Sequence, residues 1–424
     1  MLVYVLNRYG KPLMPCSARK ARILLKQKKA IVKKREPFTI QLLYGSSGYK
    51  QDISLGVDCG SKHVGLSATT NKKELYASEV TLRNNIVDLL STKRENRRTR
   101  RNHLRYRPSR FNNRVHSKNK GWFAPSVKHK IQTHLRVIKN VYKILPVKNL
   151  IVEIASFDIQ KIKNPNIQGT EYQNGEQLGF WNTREYILFR DGHKCQNCKG
   201  KSKDPILNVH HIQSRKIGGD APNNLITLCE TCHNLYHKGE IQLKLKRGFS
   251  FKDATFMGIM KWALYEKLKM TYDNINLTFG YITKSTRIKY NLPKEHYIDA
   301  RCISGNPLAK PLGYIYFQKK IRCHNRQIHK ANLLKGSMKK LNQAPYKVFG
   351  FRLFDKVKYN NIDCFIFGRR QSGYFDLRKL NGTRINDSVN YKKLILLESK
   401  KYYLTERRIT SDSYATLKDG IILA

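Results

Sequence analysis

Two CxxC pairs, Cys195 with Cys198 and Cys229 with Cys232, constrain this chain more sharply than any other feature. At such a separation the two hairpins can place four thiolates tetrahedrally around one zinc ion, which fixes the fold of what lies between them. Metal is favoured over disulfides because the nine cysteines are an odd number and the chain is expected in the reducing cytoplasm. No stretch reads as a transmembrane helix, and Pro12 and Pro15 interrupt what a signal peptide would need as an apolar run. Cys16, Cys59, Cys302, Cys323 and Cys364 are expected to be buried thiols.

The segment between and after the pairs, VHHIQSRKIGGDAPNNLITLCETCHNLYH, holds His210 and His211, Asn224, and His233 with His237 at helical i,i+4 spacing. A neutral imidazole can take a proton near pH 7, and a bound metal can stabilise charge developing on a phosphate. One reading is therefore a catalytic centre. The other is a zinc knuckle that only binds nucleic acid, and His233 alone can equally be a structural histidine beside the zinc.

Composition names the partner. With 82 Lys plus Arg against 30 Asp plus Glu the formal net charge is +52, which calls for a polyanion, and nucleic acid is the natural one in a cell. A hydrophobic content of 40% excludes a disordered basic tail. The charge is densest in 93–120, with 12 Lys or Arg and the single acid Glu95. Arg94, Arg97, Arg98, Arg101 and Arg105 fall on one stripe of a helix that Pro108 should end, while Arg100 and Arg107 project elsewhere. A charge run is usually a solvated tail. This one is led in by Ile86, Leu89 and Leu90 and lies between folded segments, which favours a position between nucleic-acid strands.

Three acids stand at telling places. Asp58 ends the buried strand ISLGVDCG, the first of an antiparallel meander continued by HVGLSATT and ELYASEVTL. Glu153 lies within NLIVEIASFD, after a helix over Ser126–Leu145 with Ile131, Leu135, Ile138 and Tyr142 on one face. Asp299 follows His296 by three residues at the start of a helix. A carboxylate in an apolar strand is costly unless it is paired or bound to metal, so neutralisation by arginine and metal binding both remain open. Residues 158–182 read as a polar linker and 276–290 as extended. From about 310 onward, short strands with Gly turns suggest a small barrel-like β domain.

These patterns resemble known families. Residues 183–247 resemble an HNH nuclease of ββα-metal fold. The resemblance implies that His210 and His237 bind a catalytic divalent metal, that His211 is the general base, and that Asn224 orients the base or contributes to the metal. The acids, with VDCGSKHVGL and HYIDA as the more specific motifs, resemble the RNase H-like fold of RuvC nucleases. There Asp58, Glu153 and Asp299 would hold two Mg²⁺ ions about 4 Å apart, with His296 as base or phosphate contact. Cys59 departs from the proline that commonly follows the first acid.

The order of parts, with GKPLMPC at 10–16, is similar to that of the IscB family, transposon-encoded relatives of the CRISPR type II effector nucleases. The implied architecture is a multidomain α+β chain: 1–50 a PLMP domain, 51–82 RuvC-I, 83–120 the Arg-rich bridge helix, 121–160 RuvC-II, 161–250 a linker and HNH domain, 251–308 RuvC-III, and 309–424 a C-terminal β domain recognising a target-adjacent motif and guide RNA. The implied activity is RNA-guided cleavage of double-stranded DNA by a monomeric ribonucleoprotein carrying an omega RNA, without a membrane partner. HNH would cut the guide-paired strand and RuvC the displaced one. The alternatives are an unguided HNH endonuclease and a non-enzymatic RNA-binding transposition accessory protein.

Overall fold

A computed structural model describes residues 2–46, 48–104, 122–154, 180, 182–214, 220–242, 252–322 and 345–410, with the backbone alone for 96–104 and 252–256. Arg105, Arg107, Cys323 and most of the expected linker 158–182 lie outside the described residues. The chain forms two compact units, residues 1–155 together with 259–424, and residues 156–258.

The first unit begins with strands β1 (Leu2–Leu6) and β2 (Cys16–Ser17), helix α1 (Ala18–Lys26), and strands β3 (Ala30–Lys34) and β4 (Thr39–Leu42). Ser17 caps α1 by accepting a hydrogen bond from the Lys20 amide, and Ala21 and Leu24 turn inward onto Val3, Val5 and Ile40. The strands pair in the order β2-β1-β4-β3. Next come the meander β5 (Ser54–Cys59), β6 (His63–Thr69) and β7 (Glu74–Thr81), then helices α2 (Ile86–Leu104) and α3 (Pro125–Tyr142), and β8 (Asn149–Ile154). Pro125 sits in the first turn of α3, where its missing N–H costs nothing. The buried face of α3 is Ile131, His134, Val137, Ile138 and Val141. Leu135 and Tyr142, expected on that face, are only half-buried, and Tyr142 stacks on Tyr272 at 4.3 Å.

The second unit contributes α4 (Thr183–Arg190), β9 (Leu207–His211), β10 (Leu225–Cys229) and α5 (Glu230–Lys238). The two strands form an antiparallel hairpin, and Gly239 ends α5 in the left-handed conformation at φ 80°. Helix α6 (Lys252–Lys269) begins in the second unit and ends in the first, which continues with β11 (Ile275–Phe279), α7 (Gly280–Lys289), α8 (His296–Ile303) and β12 (Tyr314–Lys320). Its last strands are β13 (Lys356–Tyr359), β14 (Ile362–Arg369), β15 (Tyr374–Arg378), β16 (Arg384–Asn390), β17 (Ile395–Glu398) and β18 (Tyr403–Ile409).

The central sheet has seven strands in the order β11-β8-β5-β6-β7-β12-β18. Around the antiparallel meander, β8 adds parallel to β5, β11 parallel to β8, and β12 parallel to β7. Two expectations need correction. The stretch 276–290 is extended only to Phe279 and then helical, because packing overrides the β propensity of its Ile and Thr residues: Thr283 is buried and Arg287 is carried round to Asp299. The described residues of 309–424 do not form one β domain. Strands β12 and β18 complete the central sheet, while β13 to β17 form a separate antiparallel sheet in the order β16-β15-β14-β13-β17, with no pairing of β16 to β17 among the described residues.

One contact sets the geometry of the first unit. Helix α8 lies directly on the backbone of β5 and β6, so a Cβ added at Gly56 would fall 2.0 Å from the Ala300 carbonyl oxygen and one at Gly65 only 1.9 Å from that of His296. Glycine in a strand interior marks such an approach. Gly65→Ala should destabilise the protein by about 1–3 kcal/mol, as overpacking does. Wild-type melting temperatures for both Gly65→Ala and Gly56→Ala would contradict the contact.

Candidate active sites

Strand periodicity places the acids of the first unit. Gly56 faces α8, so Asp58, two residues on, faces it too. Ile151 of β8 pairs with Gly56 in parallel register, which puts Glu153 beside Asp58 on the same face. Asp299 comes from α8 itself. His296 Nδ1 lies 2.6 Å from Asp58 Oδ2, and this hydrogen bond is the main cause that raises the imidazole's pKa above the usual histidine range. The His296 ring also stacks on His63 at 5.2 Å, and His63 Nδ1 stands 2.9 Å from Glu79.

Each of the other two acids has its own cation. Lys261, buried on α6, donates to Glu153 Oε1 at 2.9 Å. Arg287 on α7 brings its Nε to 3.1 Å from Asp299 Oδ1, yet neither atom makes a hydrogen bond, and both are out of reach of solvent. Burial, with the charges of Asp58 and Glu153, pushes the Asp299 carboxyl up to about 6 despite Arg287. A buried carboxylate oxygen without a donor, among carboxylates that raise one another's pKa, is an environment that a divalent cation would satisfy. The three acids are not drawn together within 4.8 Å, and two other sets are.

The first set is Cys195, Cys198, Cys229 and Cys232. The Cys198 and Cys229 sulfurs stand 3.8 Å apart, too far for a disulfide. Four sulfurs at about 2.3 Å from a tetrahedral zinc would be separated by about this distance. The cysteine before α5 and the one in its first turn, Cys229 and Cys232, are buried with Cys195, around Leu228. Hydrogen bonding to Ser202 holds the Cys198 thiol down at about 6, and the Asn197 amide donates to Cys232 Sγ at 3.4 Å. Thiolates with such outer partners fit a zinc site.

The second set is His210, His233 and His237. His210 on β9 is buried, and its ring lies 5.2 Å from that of His233 and 5.3 Å from that of His237. The Nε2 atoms of His233 and His237 face each other at 3.3 Å. Burial, then the charges of its three histidine neighbours, lowers His210 to about 4, and burial lowers His233 as well. Imidazole nitrogens converging on one point suit a transition-metal cation such as Zn²⁺. His233 therefore belongs with this cluster, and its place is set by the one-turn repeat with His237.

His211, next along β9, is directed away from that cluster by strand alternation, and its Nε2 pairs with Asp220 Oδ1 at 2.9 Å. Asn224 is fully buried. Its Oδ1 accepts from the Gln213 amide and its Nδ2 donates to the Gln213 carbonyl, both at 2.9 Å, so it clamps the loop that leaves His211. Lys261 and Arg287 lie in no sequence motif, and His63 and Asp220, though inside VDCGSKHVGL and the histidine segment, carry no recognisable role there; only the fold reveals their partners. Arg94 is exposed on α2, and the backbone of Arg97, Arg98, Arg100 and Arg101 continues that helix.

Residues 3–175, which include the run Arg97-Arg98-Thr99-Arg100-Arg101, match the RRXRR protein family, and residues 195–239 match the HNH endonuclease family. A 41-residue stretch is 44% identical to Anaredoxin of Nostoc sp., covering 9% of this chain and 54% of that one. Among solved structures, Streptococcus thermophilus Cas9 in complex with the AGAA PAM aligns at 13% identity and TM-score 0.32, over 49% of this chain and 30% of that one. The same enzyme in complex with the GGAA PAM aligns at 14% identity and TM-score 0.31, over 50% of this chain and 30% of that one. The chain thus spans about half the length of the curated relative and under a third of the Cas9 chains. No helix among the described residues is long and apolar enough to cross a membrane. An RRXRR region followed by an HNH endonuclease domain in one chain fits an IscB-like nuclease.

Proposed function

We propose that the chain is an RNA-guided DNA endonuclease with two cutting centres, the HNH domain for the guide-paired strand and a RuvC-type centre for the displaced strand. The observation that carries the reading is that the hydrogen-bonded Asp58–His296 pair, Glu153 and Asp299 lie on one face of the central sheet, in a chain that also holds the three-histidine cluster. An unguided HNH enzyme would have no use for that second set.

In the RuvC-type centre, Asp58, Glu153 and Asp299 would hold Mg²⁺, whose chemistry is to activate water and stabilise the leaving oxygen. His296 would take the water's proton or contact the scissile phosphate, with Asp58 fixing its ring. In the HNH centre, His210, His233 and His237 would hold the cation. His211 would act as general base, with Asp220 fixing its ring and Asn224 the loop behind it. The four cysteines would bind a structural zinc. Guide RNA, as an omega RNA, and target DNA would occupy the basic surface, including the arginines of α2 and, beyond it in sequence, Arg105 and Arg107. Base pairing then reads sequence, while the protein reads backbone and shape. The sheet β13–β17 is the candidate reader of a motif beside the target.

Two measurements test the assignment. With strand-labelled target, Asp58→Ala should leave a nick only in the guide-paired strand, and His211→Ala only in the displaced strand. Equal loss of both cuts in either variant would refute the division. Zinc content should be one per chain and fall with Cys229→Ser, and chelation should unfold residues 195–239 before the rest. Unchanged proteolysis of that segment after chelation would refute the structural zinc.

A further inference from the structure

A groove away from both candidate centres is built from cations on three elements. Strands β7 and β12 run parallel, with Thr81 in register with Lys319, so the residues leaving their carboxyl ends, Arg83 and Arg322, emerge on the same side of the sheet. Ligands commonly gather at the carboxyl ends of parallel strands. Lys320 is paired with Tyr403 across β12 and β18, and its ammonium lies 4.3 Å over the Tyr403 ring and 5.1 Å over that of Tyr402, which hold it in place. Across the groove, α3 presents His129, Gln132, Thr133 and Arg136, a stripe of one helix face. Together these residues line a cavity of about 430 Å³.

Four of the eight lining residues are Arg or Lys, and none is a carboxylate. Guanidinium groups cannot shed their charge, so the lining presents standing positive charge to whatever enters the groove. His129 registers the resulting field. Burial, followed by the charges of Arg83, Lys320 and Lys130, pushes its pKa down to about 4, and its Nδ1 is buried with no hydrogen-bond partner. The volume lies in the range of sites that take small organic ligands, well above what a bare inorganic ion needs.

We propose that this groove seats one phosphodiester unit of a nucleic-acid strand, a phosphate with its sugar, held by Arg83, Arg136, Lys320 and Arg322. The proposal rests on the nucleic-acid partner inferred above but not on cleavage, and it gives the strand an anchor on the first unit that is independent of the arginines of α2. Gln132 adds an exposed amide at the rim for sugar or phosphate oxygens.

The test uses the full chain without added Mg²⁺, so that binding is read apart from cutting. Fluorescence anisotropy is followed as a function of salt with single-stranded RNA and single-stranded DNA of the same sequence. Arg136→Gln with Arg322→Gln is compared with Lys267→Gln and Lys269→Gln, exposed residues of α6 that remove the same charge elsewhere. Each lost phosphate contact lowers the slope of log affinity against log salt by about 0.7 for a single strand, so the groove variant should lose about 1.4 and the control less. A loss with either strand supports the site, and the strand that shows it is the one the groove holds. A slope equal to wild type for both strands, or a fall no larger than the control's, overturns the proposal. Unchanged melting temperatures confirm that the variants fold. Failure of strand-specific cutting with this slope change intact would sink the nuclease reading alone.

Discussion

Helix α8 rests on bare backbone. Because residues 56 and 65 have no side chain, the carbonyls of Ala300 and His296 come within van der Waals reach of the strands, and no other amino acid at either position would allow it without a shift. That seat delivers His296 to Asp58 across 238 residues of sequence and turns Asp299 toward the same face. It also explains why the sheet can be interrupted after β8 and resumed at β11. The segments on either side are tied through α8 and through strand pairing to β5 and β8, so the intervening unit is not needed to hold them.

Electrostatics then organises what α8 has brought together. In a chain of net charge +52 a carboxylate has no shortage of cations, yet the three acids are served by three particular ones: His296, Lys261 and Arg287. The service is incomplete at Asp299, whose Oδ1 keeps no hydrogen bond and whose carboxyl is pushed up to about 6 by burial and by its neighbours. A folded carboxyl raised above its unfolded value weighs against stability at neutral pH, and the cost is relieved as pH falls through about 6 toward the ordinary range near 4. A divalent cation would relieve the same strain at neutral pH. Under the proposed reading, the cations that pair with the acids are therefore the ones that metal would displace or rearrange. The three-histidine cluster solves the problem differently: burial lowers His210 to about 4 and lowers His233 as well, so these two imidazoles are neutral near pH 7.

Much of this was readable in the sequence, for physical reasons that differ by region. Apolar runs located β5, β6, β7 and β8, and the unbroken burial of Leu55-Gly56-Val57 in β5 matches a strand covered on both faces. The cysteine pairs and the His233–His237 repeat are local in sequence, so spacing alone predicted their convergence. Long-range partners left no such trace. Nothing about Lys261 or Arg287 distinguishes them among 82 cations until the fold sets them against acids far away. The helix α7 was missed because Ile and Thr propensities favour a strand where packing imposes a turn of helix. The split of the C-terminal strands between two sheets was missed because pairing of β12 with β7 is parallel and distant, and hairpin spacing records only neighbours.

The central claim is that these two centres serve one RNA-directed reaction. The direct measurement is cleavage of a supercoiled plasmid carrying a guide-matched site in Mg²⁺, with the purified protein supplied with or without the RNA encoded beside its gene. The account predicts linear product only when RNA and matched site are both present, and open circle at most when the guide is mismatched. Linear product without RNA would contradict guidance, and tight RNA binding without any cutting would contradict the enzyme itself.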